Sequence, residues 1–225
     1  SYARDDTESD DLRLGRHPLV HYRDIGLLGK NCTFAHMNFV REDEFSPILE
    51  SGMSIAWCPI ASMMYGIGGT LHGNHLELYK AGANIALGSD SANWTSSFNI
   101  GQQALLAELT AREKTGRSDA LGATDVLKMA TVNGAQAAGM SNSLGSLEVG
   151  KKADLVIRKE DLSEAHPGSD PIRSLIYSSG SKSIDTVIVN GEIIIKNGHS
   201  TRVDEKEVYA KVRESSDKVL QRMGK

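Results

Sequence analysis

The chain has 225 residues, 40% of them hydrophobic and 24% charged, with a formal net charge of -4. That is enough apolar material for a packed core, in one large domain or two small ones, and it excludes a disordered chain. Acids and bases are interspersed, which excludes a basic field for nucleic acid and a polybasic membrane anchor, so the expected partner is a small molecule or another subunit.

The first residues, Ser1-Tyr-Ala-Arg-Asp-Asp-Thr-Glu8, are acidic where a secretory leader would be basic and then apolar. The absence of an initial methionine, in the middle of an acidic stretch, predicts a truncated or fragmentary protein. No apolar run approaches the length of a membrane span, and two cysteines are far from a disulfide framework. Together these predict a cytoplasmic protein. Ser1 to Asp11 is polar without periodicity and reads as loop. From Pro18 to Leu28 apolar residues mix with charges, Pro18 suits a first helical turn, and Gly26 and Gly29 mark the exit. His17 and His21 stand four apart like a metal pair. No glutamate follows the first, and the pair straddles the helix start, so a partly exposed helix face is the simpler reading.

Cys32-Thr-Phe-Ala-His36 reads as a short strand ending in a histidine. A helix with Glu42, Asp43 and Glu44 in its first turn runs to about Ser51 and stops at Gly52. Met53-Ser-Ile-Ala-Trp-Cys-Pro59 is a second strand, stopped by a proline that cannot donate to a ladder. Cys32 and Cys58 would lie at opposite ends of neighbouring strands, which argues against a disulfide and for two small buried residues. The loop Gly66-Ile-Gly-Gly69 lacks the lysine of a phosphate loop and reads as a flexible lid. Leu76 to Gly82 is a short helix, and Asn84-Ile-Ala-Leu-Gly-Ser-Asp90 a third strand that delivers a carboxylate. Strands alternating with helices predict a parallel sheet, in which ligands gather at the carboxyl ends. His36, Trp57 with Cys58, and Asp90 would then lie side by side. Asp90 reads either as a helix cap or as a site carboxylate, and His36 as a core or a site histidine.

Helices are predicted from about Phe98 to Lys114, closing at Gly116, and from Thr124 to a small-residue patch ending at Gly139. From Leu144 the pattern changes to a strand reaching Ile157 and a hairpin, Thr186 to Ile195, turning at Asn190-Gly191. This is a small antiparallel β-layer without crossovers. The chain ends in a helix opened by Asp204 and Glu207, with Val208, Val212, Val219 and Met223 recurring on one face.

Four stretches, Phe34-Ala-His-Met37, Ala56-Trp-Cys-Pro59, Ala81 to Asp90, and Leu144 to Val156 with the later Val-Asn-Gly hairpin, together resemble the amidohydrolase superfamily. Within it they are similar to the branch of chlorohydrolases and heterocycle deaminases. The resemblance implies an α/β fold: the carboxyl-terminal part of a metal-dependent (β/α)₈ barrel, about strands six to eight, over residues 1–140. A β-sandwich portion would cover 141–200 and a carboxyl-terminal helix 201–225. It implies that Asp90 ligates a divalent metal, zinc or iron, and shuttles a proton, while His36 orients the attacking water. Trp57, Met63 and Trp94 would line an apolar wall for the substrate. The implied reaction is hydrolytic deamination, or dechlorination, of a heteroaromatic small molecule by metal-bound hydroxide. A cyclic amide hydrolase is a relative these residues do not separate from a deaminase.

The departures are specific. The superfamily's amino-terminal His-x-His pair and its strand-five histidine are missing, and Trp57-Cys58 stands where many relatives have a histidine or asparagine. With Asp90 alone among the usual ligands, the metal could be absent from this chain, and a non-catalytic fragment or scaffold module is the alternative. Three strands of a barrel also leave an unpaired edge, which predicts pairing with a second copy or with a missing amino-terminal half.

Overall fold

The structure is a computed structural model and describes residues 4–67, 73–91, 95, 97–159 and 170–224. These fall into two compact units, one within Ser1–Lys151 and Pro167–Ser178, the other within Lys152–His166 and Ser179–Lys225.

The first unit is built on three parallel strands, β1 (Thr33–Ala35), β2 (Ser54–Trp57) and β3 (Asn84–Leu87), in that spatial order. Ala35 pairs with Ala56 and Ala56 with Ala86, so the three carboxyl ends are level with one another. The central strand is the most buried: Ser54, Ile55 and Trp57 are all covered, as expected for a strand walled by helices on both faces.

Helices α1 (Arg4–Leu14), α2 (Pro18–Asp24), α3 (Phe45–Ser51), α4 (Pro59–Met64) and α5 (His75–Lys80) lie before or between the strands. Helices α6 (Ile100–Thr115), α7 (Ala123–Ala130) and α8 (Val132–Ala137) follow β3. Side chains from these layers meet in one core around Ile48, Ile55, Leu78, Ile85, Val126 and Met129. The small residues Ala104, Ala107 and Ala111 on α6 let that helix approach closely. Gly52 ends α3 and Gly116 ends α6, each at positive φ, 68° and 64°, where a side chain would be strained.

Two local expectations are corrected. Residues 4–14 are helix and not loop; without an apolar face, α1 is held by polar contacts. Asp5 and Asp6 sit in its first turn, Arg13 pairs with Asp10 at 2.8 Å, and Asp11 receives Arg41 at 2.7 Å. Pro59 ends β2 but also opens α4, because its fixed φ suits a first helical turn. The β-layer keeps consecutive antiparallel order without a crossover, as expected, but along the chain between its first two strands, in a stretch given no element from sequence, α9 (Pro171–Tyr177) forms. Asp170 caps it, accepting from the amides of Ile172 at 2.9 Å and Arg173 at 3.1 Å. It packs on α6 and α7, and the Tyr177 hydroxyl donates to Glu108 at 2.7 Å.

The second unit is a four-stranded antiparallel sheet: β4 (Leu155–Arg158), β5 (Ile184–Val189), β6 (Glu192–Lys196) and β7 (His199–Ser200). Its hairpin turns at Asn190 and Gly191, with φ of 52° and 83°, as a two-residue turn between twisted strands requires. The Asp154 carboxylate accepts from the Asn190 amide at 2.6 Å. Helix α10 (Glu205–Arg222) starts where Asp204 accepts from the amides of Lys206 and Glu207, at 2.9 Å and 3.3 Å. None of its residues is buried. Its apolar stripe of Val208, Val212, Val219 and Met223 faces solvent. Among the described residues no helix is long and apolar enough to cross a membrane.

His17 and Glu44 are fully buried against each other, which corrects the exposed-face reading of His17. Glu44 also accepts from the amides of Leu19 and Arg41, each at 3.2 Å, tying the start of α2 to the turn before α3. Glu44→Ala strands two amides and an imidazole, and is expected to lower stability by about 3 kcal/mol. Urea unfolding followed by circular dichroism measures this; a loss below about 1 kcal/mol contradicts the role given to Glu44.

Candidate functional site

The site lies at the carboxyl ends of the three parallel strands. The ladder extends one residue past β1 and β3: the His36 amide donates to the Ala56 carbonyl at 2.9 Å, and that of Gly88 to Trp57 at 2.8 Å. The chain then turns sharply. His36, Met37 and Asp90 have φ of 66°, 53° and 58°, left-handed conformations that cost a residue with a side chain about 1–3 kcal/mol each. Such strain persists only where the surroundings enforce it, and here it turns two polar side chains toward each other. His36 Nε2 lies 3.7 Å from Asp90 Oδ2, with the side chains 18% and 26% exposed.

The loop after β1 is held from its neighbours. Asn38 accepts from the Ser62 hydroxyl of α4 at 3.0 Å, and the Val40 carbonyl from the Asn74 amide group at 2.7 Å. His75 Nε2 lies 2.6 Å from the His36 carbonyl oxygen. Met37, Asn38 and Val40 are all buried.

Burial pushes the His36 imidazole below its ordinary value, and the Asp90 carboxylate only partly reverses this. His36 is therefore neutral at neutral pH, able to accept one proton. Burial pushes the Cys58 thiol up to about 11, and the Asp90 charge adds to this, while the backbone at Asp90 and His36 opposes it. The thiol stays protonated and is poorly placed to be a nucleophile.

Of the residues expected to form the site, the structure brings His36 and Asp90 together. Trp57 belongs to the core at 2% exposure, its ring stacked on His75 with centroids 4.7 Å apart and planes at 6°. Met63, on α4, lines a cleft with Leu106, Leu109 and Thr110 of α6, a lining that includes neither His36 nor Asp90. Trp94 and half of the glycine loop expected to be a lid, Gly68 and Gly69, lie outside the described residues. Cys58 lies beside the pair, as its place at the end of the second strand predicts, and a Cβ at Gly88 would meet its sulfur at 2.8 Å, so the third strand needs glycine for this close approach. The other neighbour, His75, was not singled out from sequence, and nothing local in the sequence marked it.

A divalent metal such as zinc takes imidazole nitrogen and carboxylate oxygen. His36 and Asp90 offer one of each at a shared, partly open position. Among the described residues no group of three or more histidine, cysteine, aspartate or glutamate side chains gathers to hold a metal. The pair thus fits part of a ligand set and not a whole one.

The Gly88 contact has a measurable consequence. Gly88→Ala is expected to cost about 1–3 kcal/mol by overpacking, and adding Cys58→Ala to recover most of it, since the clash is with the sulfur. Thermal unfolding of the single and double variants checks this, and equal destabilisation in both contradicts it.

The Amidohydrolase family model matches residues 9–194. The chain is 32% identical over 212 residues to 5-methylthioadenosine/S-adenosylhomocysteine deaminase of Moorella thermoacetica, covering 93% of this chain and 48% of that protein. It is 30% identical to the protein of the same description from Aquifex aeolicus, over 98% of this chain and 50% of that one. Among solved structures, an adenosine deaminase from Xanthomonas campestris with bound zinc superposes with a TM-score of 0.92 at 25% identity, covering 98% of this chain and 49% of that one. The atrazine chlorohydrolase of Arthrobacter aurescens, complexed with zinc, shares the fold with a TM-score of 0.87 at 24% identity, over 95% and 47%. The chain spans about half the length of the curated relatives it matches. By its sequence and its fold, the chain belongs to the amidohydrolase family.

Proposed function

We propose that this chain is the carboxyl-terminal half of a metal-dependent hydrolase that deaminates an aminated purine nucleoside. In this reading β1, β2 and β3 are strands six, seven and eight of the barrel, within residues 1–140. Residues 141–200 are the sandwich portion and 201–225 the terminal helix. The observation that carries it is the His36–Asp90 pair, 3.7 Å apart at the carboxyl end of the parallel sheet, where such folds hold their ligands. The relatives named as 5-methylthioadenosine/S-adenosylhomocysteine deaminases supply the substrate class, adenosine thioethers. A cytoplasmic setting agrees with the two free thiols, Cys32 and Cys58.

Asp90 would hold the metal, with remaining ligands from a further stretch of polypeptide or another subunit. When bound there, a divalent metal lowers the pKa of water from about 15.7 toward 7. Asp90 takes a proton from the attacking water and passes it to the departing amine, acting as base and then acid. His36, neutral at neutral pH, orients that water toward the ring carbon through Nε2. Water adds at the ring carbon bearing the amino group, the carbon–nitrogen bond breaks, and ammonia and the oxo-purine leave.

Ammonia release from 5-methylthioadenosine or S-adenosylhomocysteine by the zinc-loaded protein tests the reading. Asp90→Asn is expected to lower kcat about 10³-fold and His36→Gln about 10²-fold. Failure to release ammonia when the polypeptide that completes the ligand set is present, or release that survives Asp90→Asn, contradicts it.

A further inference from the structure

We propose that His75 is a positioning residue for His36: its bond to the His36 carbonyl fixes the left-handed turn that carries the His36 imidazole to Asp90. The inference rests on the reading of His36 as a catalytic residue.

His75 opens α5 and is 1% exposed. Its Nε2 lies 2.6 Å from the His36 carbonyl oxygen. A carbonyl oxygen can only accept, so Nε2 must carry the proton and Nδ1 the lone pair. Burial pushes the His75 imidazole down to about 4, so the ring is neutral at neutral pH. Among the described residues Nδ1 has no hydrogen-bond partner.

A buried imidazole with an unmet acceptor is a costly way to fill space, and a phenyl ring would fill it without that cost. The Trp57 stack, with planes at 6°, would accept a phenyl ring as well. What imidazole adds over phenyl is the donated hydrogen bond.

That bond falls where the backbone is strained. His36 donates its amide to the Ala56 carbonyl of β2, so its amide side is fixed by the ladder. Its carbonyl side is fixed by His75. With both ends of the residue held, φ of 66° is enforced, and the imidazole lies with Nε2 3.7 Å from Asp90 Oδ2. Asn74, the residue that precedes α5, holds the Val40 carbonyl at 2.7 Å, so two successive residues at the start of α5 grip the same loop. This is how a strained turn is kept in register with a carboxylate two strands away.

Two measurements separate this inference from the functional reading. In the wild-type protein, scalar coupling across the His75 Nε2–H···O=C His36 bond should be visible by nuclear magnetic resonance, with the His75 proton on Nε2. His75→Phe keeps the stack and removes the donor. It is expected to shift the His36 carbonyl resonance and lower kcat about tenfold to a hundredfold, with KM within about twofold. His75→Gln, whose amide can still donate, is expected to recover part of the loss, which a purely space-filling role would not allow. Absence of the coupling in wild type, or a folded His75→Phe with kcat within about twofold of wild type, overturns the proposal. If His75→Phe fails to fold, the coupling and His75→Gln decide. If the wild-type protein releases no ammonia with the polypeptide that completes the ligand set present, the functional reading fails, and the coupling and the carbonyl shift still decide the positioning role.

Discussion

The left-handed turns at His36 and Asp90 are the constraint on which the site depends. A parallel sheet delivers its strand ends to one edge, but extended strands point their side chains alternately up and down, not at one another. Left-handed backbone at the first polar residue beyond β1 and at Asp90 beyond β3 swings imidazole and carboxylate together across the width of β2. Without those turns the two groups would be neighbours in topology and strangers in space.

The rest of the first unit can be understood as holding that geometry. The central strand is the most buried element and sets the spacing between the outer two. Gly88 lets β3 approach the Cys58 sulfur so closely that no other residue fits without movement. Ser62 of α4, His75 of α5 and Asn74 just before α5 hold the loop after β1. Strain of a few kcal/mol at the turns is thus offset by hydrogen bonds worth about 1 kcal/mol each and by the burial of Met37 and Val40. Burial also sets the protonation states of two neighbours: His36 is held neutral and Cys58 protonated.

Much of this was legible in the chain. Short apolar runs closed by Pro59 and Gly88 marked the second and third parallel strands, a short run ending in His36 marked the first, and Asn190-Gly191 marked the hairpin. The resemblance then singled out His36 and Asp90 from other histidines and acids. What escaped had physical reasons. Helix α1 carries no apolar period, because salt bridges and the helix dipole hold it. The stretch that forms helix α9 was given no element from sequence, and its packing against α6 and α7 depends on the tertiary fold. Trp57 at a strand end looked like a substrate wall, whereas its ring turns inward onto His75. His75 itself was invisible, since nothing in a sequence says that a histidine will meet a carbonyl 39 positions away.

The account stands on Asp90 being a metal ligand completed from outside the described residues. Metal analysis of the purified protein and of Asp90→Asn tests that most directly. The predicted result is zinc in stoichiometric amount in the wild type, falling about tenfold or more in the variant while the fold is kept. Zinc content unchanged by the substitution, or no zinc in the wild type with the polypeptide that completes the ligand set present, would contradict it.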